Sequence, residues 1–304
     1  MTTTRTGHLV RMRTHRQEPT MHPDRSPFAT TVHPDADGPF RTAIAPDRST
    51  VYVSGPRRVL GIWAHPDDEA YLSAGLMDRI VRSGGHVTVV ALSDGEAGFP
   101  ADDARSIGVR RTLRRTELRA AMAEIGVADV RFLGLPDGGV DDADRAATTR
   151  SLAEIVAEIR PDVTVTFGPD GITGHVDHVA CSALATAAWQ CEPCGQLWYA
   201  AKTESWLDEW RDLHDRLGLW MTEEPTGVSD RGIQSSVRLN DAETDRKRAV
   251  LGAHASQTAG VVAAFGEDAY RRWIAEETFR LPTAVELADA SAGDRRVLTG
   301  SGVS

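Results

Sequence analysis

Val59-Leu60-Gly61-Ile62-Trp63-Ala64-His65-Pro66-Asp67-Asp68-Glu69 is the stretch that decides the fold. Val59 to Ala64 is a continuous apolar run of strand length, the mark of a strand covered on both faces. Pro66 and the acids Asp67, Asp68 and Glu69 suit the first turn of a helix, where a missing N–H is harmless and negative charge meets the positive end of the helix dipole. Leu72, Leu76 and Ile80 then recur at helical spacing until Gly84-Gly85 stops the element.

The same alternation continues. Val87 to Leu92 is a second buried strand, Val109 to Ile125 a helix ended by Gly126, and Val130 to Leu133 a short third strand. Leu152, Ile155, Val156 and Ile159 mark another helix, closed by Pro161, before a fourth strand at Val163 to Phe167. Strands buried on both faces and separated by helices imply right-handed crossovers and an open, mostly parallel sheet: an α/β fold. Ligands in that architecture sit beyond the carboxyl ends of the strands, so the loops after the first and fourth strands are where chemistry is expected. A further helix runs from His178 to Trp189. Trp206, Trp210, Leu213, Leu217 and Trp220 follow helical spacing as a buried face, and a last helix is expected at about Asp241 to His254.

Residues 1–55 are rich in Thr, Arg, Pro, Asp and His, too poor in large apolar side chains to offset the entropy of ordering, and are expected to be a flexible arm. Its His8, His15, His22 and His33 lack ligand spacing, and Met21 stands as an alternative first residue. The expected domain covers 56–285, and 286–304 form a C-terminal tail. With 34 basic against 44 acidic side chains, net −10, the chain lacks the dense basic face on which nucleic-acid binding rests. No apolar stretch approaches the ~20 residues of a membrane span, and no hydrophobic segment of ~7–15 residues follows the basic start as in a secretory signal. A cytoplasmic protein is therefore expected. Cys181, Cys191 and Cys194 are an odd set that does not suit a disulfide framework, and a homo-oligomer is left open. Lys202 and Lys247 are the only lysines, which reads as codon bias in a GC-rich genome and locates no site.

The first loop carries no Gly-rich dinucleotide fingerprint but His65, Asp67 and Asp68. The loop after the fourth strand carries Gly174-His175-Val176-Asp177-His178. Acids after a proline could merely complement a helix dipole, but two His/Asp clusters at one edge of one sheet point to a shared metal. His65, Asp68 and His178 supply three ligands of the N/O type that zinc takes, which leaves an open position as in catalytic sites. Asp67 is then the candidate general base. His175 would stabilise an oxyanion, with Asp177 holding its ring; spacing alone leaves the converse assignment of His175 and His178 open.

These anchors resemble the LmbE/PIG-L zinc-dependent N-deacetylases over about Arg57 to Gln257. Lesser matches are Ser93 to Gly98, Arg114 through Glu117-Leu118, Leu135-Pro136-Asp137-Gly138, and Lys247, His254, Ser256 and Gln257. The resemblance implies a Rossmann-like three-layer α/β sandwich, a Zn2+ cofactor on His65, Asp68 and His178, Asp67 as base, and His175 with Asp177 assisting the tetrahedral intermediate. It also implies a small N-acetylated substrate, commonly an N-acetylglucosamine conjugate. Val176 stands where the family often has proline. Arg114, Asp94, Glu96, Asp137 and His254 are the candidate substrate contacts, each with a plainer reading as a solvated charge, a turn former or a helix-dipole partner. His86 and His214 read as structural or exposed.

The expected activity is hydrolysis of an N-acetyl amide. Its rivals are a thiol-conjugate amidase or other C–N hydrolase cleaving larger amides, and a non-catalytic carbohydrate-binding protein. A magnesium phosphohydrolase is disfavoured because imidazoles suit zinc better than hard, oxygen-loving ions, while iron(II) would suit the same set.

Overall fold

The computed structural model describes residues 41–43, 50–51, 56–222 and 224–290. In chain order the elements are β1 (Arg41–Ala43), β2 (Thr50–Val51), β3 (Arg58–Trp63), α1 (Asp68–Arg82), β4 (His86–Ser93), α2 (Ile107–Glu124), β5 (Asp129–Leu135), α3 (Arg145–Ile159), β6 (Val163–Phe167) and α4 (Val176–Cys191). They continue with β7 (Gln196–Ala201), α5 (Glu204–Leu217), β8 (Ser235–Arg238), α6 (Asp241–Ala253), α7 (Ala255–Phe265), α8 (Glu267–Ile274) and β9 (Glu276–Arg280), and residues 284–290 are helical. Most of the arm at 1–55, with its histidines, and the tail beyond 290 lie outside the described residues.

The strands form one sheet in the order β2-β1-β8-β9-β7-β6-β3-β4-β5. From β7 to β5 every pairing is parallel. β9 runs antiparallel to both β7 and β8 and extends the sheet on that side. Helix α6 packs against both α1 and α2, and α3 packs against α4. Right-handed crossovers put these two groups on opposite faces, giving three layers. Both faces being covered, β3 is buried from Val59 to Trp63 and β4 from Val87 to Ser93. From β3 the chain moves through α1 to β4 on one side, whereas β6 lies on the other. Connectivity therefore reverses between β3 and β6, where open α/β sheets leave a ligand crevice at the carboxyl ends of the strands. The loop carrying His65 and the first turn of α4, which carries His178, border that crevice.

Three parts of the chain depart from the sequence expectation. β7 lies within the tryptophan-rich stretch; α5 stops at Leu217 on Gly218 (φ 59), so Trp220 lies beyond the helix whose buried face carries Trp206, Trp210 and Leu213. The helix at Asp241 is followed by α7 and α8, so it is not the last. The lysines, finally, are placed for a reason. Lys247 Nζ donates to Tyr71 O (2.8 Å) and to Glu277 Oε1 (2.7 Å), while Glu277 also accepts from Gly75 N and Leu76 N inside α1. This buried pair ties α6 and β9 to α1, the helix that Asp68 opens. Gly75 lets the chain pack closely here: a Cβ would stand 2.5 Å from Leu239 Cδ2 and would make that side chain shift. All three cysteines are free thiols.

His214 is fully buried behind the tryptophans and accepts from Trp273 Nε1 at 3.0 Å, as the structural reading of that residue expected. Burial holds its imidazole down to about 4. The unfolded chain takes up this proton near 6.5 and the folded one only near 4, so stability falls as the pH drops through that window. His214→Asn should lose less stability than the parent between pH 7 and pH 4.5, by on the order of 1–2 kcal/mol, in urea titrations at the two pH values. Parallel acid curves would refute this role.

Candidate metal centre and active site

His65 leaves the end of β3, Asp68 opens α1, and His178 sits one turn into α4. The three converge in the crevice. His65 Nδ1 lies 3.2 Å from His178 Nε2, His178 Nε2 3.3 Å from Asp68 Oδ1, and His65 Nδ1 3.6 Å from Asp68 Oδ2. Donors at ~2.0–2.1 Å from a tetrahedral zinc stand roughly 3.3 Å apart; each imidazole nitrogen is near that distance from one oxygen of Asp68, and one ligand atom from each residue lies within 4.8 Å of the others.

The surrounding hydrogen bonds fix which nitrogen of each ring is free. His178 Nδ1 is 3.0 Å from Gly171 O; a carbonyl only accepts, so Nδ1 carries the hydrogen and Nε2 presents a lone pair. His65 Nε2 lies between Asp177 Oδ2 (3.2 Å) and Asp137 Oδ1 (3.1 Å), so it is the donor and Nδ1 the lone pair. Two imidazole lone pairs and a carboxylate oxygen thus face one another in a buried site, an arrangement that a cation satisfies. Charge points the same way. Burial opposes charge on His65, but the carboxylates of Asp137, Asp177 and Asp68 outweigh it and raise its pKa well above the ordinary value, so without an ion a proton takes the Nδ1 position that a metal would fill. Burial likewise opposes the Asp68 carboxylate, yet His178 and His65 hold it at about 2. Burial lowers His178.

Asp67 stands beside this set with φ 121, a conformation that few residues other than glycine adopt. The loop is held from several sides. Asp67 N donates to Glu69 Oε2 (2.9 Å), Arg114 Nη2 donates to Pro66 O, and Arg114 Nη2 lies 3.5 Å from Asp67 Oδ1. Burial raises the Asp67 carboxyl to about 6, with Arg114 pulling the other way. His175 caps α4 and accepts from Asp177 N at its Nδ1 (3.1 Å), so the neutral ring carries its hydrogen on Nε2; the ring centre lies 4.8 Å from that of His65.

One expected contact is corrected. The Asp177 carboxylate accepts from Gly138 N (2.7 Å) and Val140 N (3.1 Å) and orients His65, so it is the Asp177 amide and not its carboxylate that bonds the His175 ring. The reason is helical geometry: Asp177 and His175 stand two apart at the start of α4, and such neighbours do not share a face.

The pattern of the family described as "PIG-L: GlcNAc-PI de-N-acetylase" matches residues 60–189, which include both His/Asp motifs. A 1D-myo-inositol 2-acetamido-2-deoxy-alpha-D-glucopyranoside deacetylase of Rhodococcus jostii (strain RHA1) is 30% identical over 292 residues, covering 81% of this chain and 99% of that protein. The chain belongs to the PIG-L family. A deacetylase of the same description from Mycolicibacterium vanbaalenii is 33% identical over 238 residues, covering 66% of this chain and 80% of its own length. Among solved structures, the N,N'-diacetylchitobiose deacetylase of Pyrococcus horikoshii superposes with a TM-score of 0.56 at 20% identity, covering 75% of this chain and 84% of that one. The A40926 pseudoaglycone deacetylase does so at 0.53 and 18%, covering 74% and 96%. These structural likenesses carry the fold, a Rossmann-like α/β sandwich.

In this PIG-L protein the five expected substrate contacts gather near the metal set, each engaged by protein. Asp94 accepts from Arg115 Nε (2.7 Å) and Glu96 Oε1 from Arg111 Nη2 (2.5 Å). Asp137 is divided between His65 and Ala97 N (2.7 Å), which makes it a support of the His65 ring. Arg114 is buried, with Nε and Nη1 lacking protein partners, as does Glu96 Oε2, among the described residues. His254 is the exception. It is fully buried at the α6–α7 junction, with its Nε2 2.8 Å from Glu69 Oε1. Through Glu69 it instead braces the Asp67 backbone. Sequence reasoning passed over Glu69, which looked like a helix-dipole acid, and Glu117, which accepts from Ser256 N (2.8 Å) and Oγ (2.6 Å) and anchors the same junction.

Proposed function

We propose that this chain is a zinc-dependent N-deacetylase that hydrolyses the N-acetyl amide of an amino-sugar conjugate, releasing acetate and a free amine. The observation that carries the proposal is the convergence of two imidazole lone pairs and Asp68 beside an unligated, strained carboxylate, Asp67. The deacetylase descriptions of the relatives support the same reaction, and their inositol-linked N-acetylglucosamine is the first substrate class to try.

His65, Asp68 and His178 would hold the ion. When bound, zinc supplies Lewis acidity, polarising a carbonyl and bringing the pKa of water down to ~7. Asp67, raised to about 6 by burial, is mostly ionised at pH 7 yet basic enough to accept the proton of the attacking water. It then returns that proton to the departing amine nitrogen. His175 donates its Nε2 hydrogen towards the oxygen that gains negative charge. Asp177 and Asp137 keep the His65 ring in the tautomer that presents Nδ1. Arg114, itself buried, ties Pro66 O and the Asp67 carboxylate and so holds the turn that carries the base.

Among the described residues no helix is long and apolar enough to cross a membrane. Purified protein should contain zinc and release primary amine and acetate in equal amounts from an N-acetylglucosaminyl inositol. Full metal occupancy without amine release from any N-acetylated sugar would refute the proposal.

A further inference from the structure

A cavity of about 130 Å³ opens beside Asp68 and His178 on the β6–β7 side of the metal set. Its walls include Leu72, Phe167, Ile172, Trp206, Trp220 and Trp273. Lys202 also lines it, but its ammonium lies over the Trp206 ring at 4.4 Å from the centroid, so the charge already has an aromatic partner. An apolar cavity of roughly 150 Å³ holds benzene. The methyl of an acetyl group would fill only part of this one.

Which half of the substrate enters the cavity follows from the two sides of the site. A carbonyl group at the metal set bears an amine on one side and an acyl chain on the other. The carboxylates and the part-satisfied arginine stand on the β4–β5 side, with Asp94 and Glu96 after β4, Asp137 after β5 and Arg114 on α2. A hydroxyl-bearing amine suits that charged side better than a wall of aromatic carbon, which would leave its hydroxyls without partners. The β6–β7 side offers aromatic carbon and is left for the acyl chain.

We propose that this cavity is an acyl pocket and that the enzyme prefers amides of apolar acyl groups larger than acetyl, up to about the size of phenylacetyl. The proposal rests on the hydrolase reading above and extends it to the acyl half of the substrate. Each methylene moved into the pocket is worth roughly fourfold, the equivalent of ~0.8 kcal/mol.

A series of N-acyl glucosaminides carrying acetyl, butyryl, hexanoyl and phenylacetyl groups tests it by amine release. Butyryl should exceed acetyl in kcat/KM by about tenfold or more, and phenylacetyl should exceed it further. Leu219 also lines the cavity, and Leu219→Trp, which narrows it without replacing a residue of the metal set, should abolish that advantage while acetyl turnover stays within about twofold. Trp220→Ala, which widens it, should shift the optimum to longer chains and keeps the test open if the first variant does not fold. A second readout does not depend on the amine chosen: phenylacetate should bind the zinc-loaded protein at least tenfold more tightly than acetate in calorimetry. Equal or falling kcat/KM with acyl length, or equal affinities for the two carboxylates, overturns the pocket while leaving a deacetylase. An intact affinity difference with no amide hydrolysed supports the pocket and overturns the hydrolase reading alone.

Discussion

Asp67→Asn is expected to lower kcat by about 10²–10⁴-fold while zinc content stays at the parent level, because the variant keeps the shape of the residue and removes its ability to accept a proton. The choice of asparagine matters. Position 67 has φ 121, and asparagine tolerates positive φ better than most residues, so the Pro66–Asp68 turn that aims Asp68 at the metal survives. Alanine would add backbone strain and confuse a lost base with a displaced ligand. Glu69 Oε2 would still accept from the residue 67 amide, and Arg114 would still hold Pro66 O. Metal analysis and steady-state amine release on the same preparation separate the two roles. Unchanged turnover would eliminate Asp67 as the base, and loss of zinc would make it a ligand.

The central sheet was legible because its strands obey one rule. β3, β4 and β6 are covered on both faces, and a strand in that environment has to be apolar throughout, so Val59-Leu60-Gly61-Ile62-Trp63 and Val163 to Phe167 announce themselves. β9 breaks the rule. Its Glu277 is buried and reads as an interruption, since no local pattern says that Lys247 and two α1 amides will satisfy it. β7, Gln196-Leu197-Trp198-Tyr199-Ala200-Ala201, lay between helical patterns, and a short apolar run among tryptophans fits either structure. The α7 and α8 helices were missed because His254 and Gly266 break the periodicity between them.

The site divides in the same way. That His65, Asp67, Asp68 and the His175-to-His178 motif share one sheet edge follows from strand order, which alternation predicts. What each side chain does there depends on contacts distant in sequence. Gly171 O selects the His178 tautomer, Gly138 N and Val140 N seat Asp177, and residues more than a hundred positions away, Asp177 on His65 and His254 on Glu69, orient groups that looked self-sufficient. The cavity was invisible for a related reason: Trp206, Trp220 and Trp273 come from separate segments, and helical spacing could show only that one face of α5 is buried.

Spacing left open whether His175 or His178 is the ligand, and paired variants discriminate. His178→Ala should weaken zinc binding by more than about 100-fold, beyond what loss of a supporting contact costs, and turnover should fall to background. His175→Ala should retain zinc and lose about 10²–10³ in kcat, the scale of one oxyanion donor. The reasons lie in the partners already counted: His178 Nε2 faces the two other ligand atoms, while His175 Nδ1 is occupied by the Asp177 amide and offers only a hydrogen. A chelator supplies a readout that does not depend on substrate. An ion that binds only the folded state raises its melting temperature, so chelation should lower Tm in the parent and in His175→Ala but leave His178→Ala unmoved. His178→Ala also forfeits the ring stacked on Phe167 at 4.2 Å, so its metal-free form should be about 1 kcal/mol less stable than the metal-free parent in urea. Zinc lost from His175→Ala and kept by His178→Ala would reverse the two assignments.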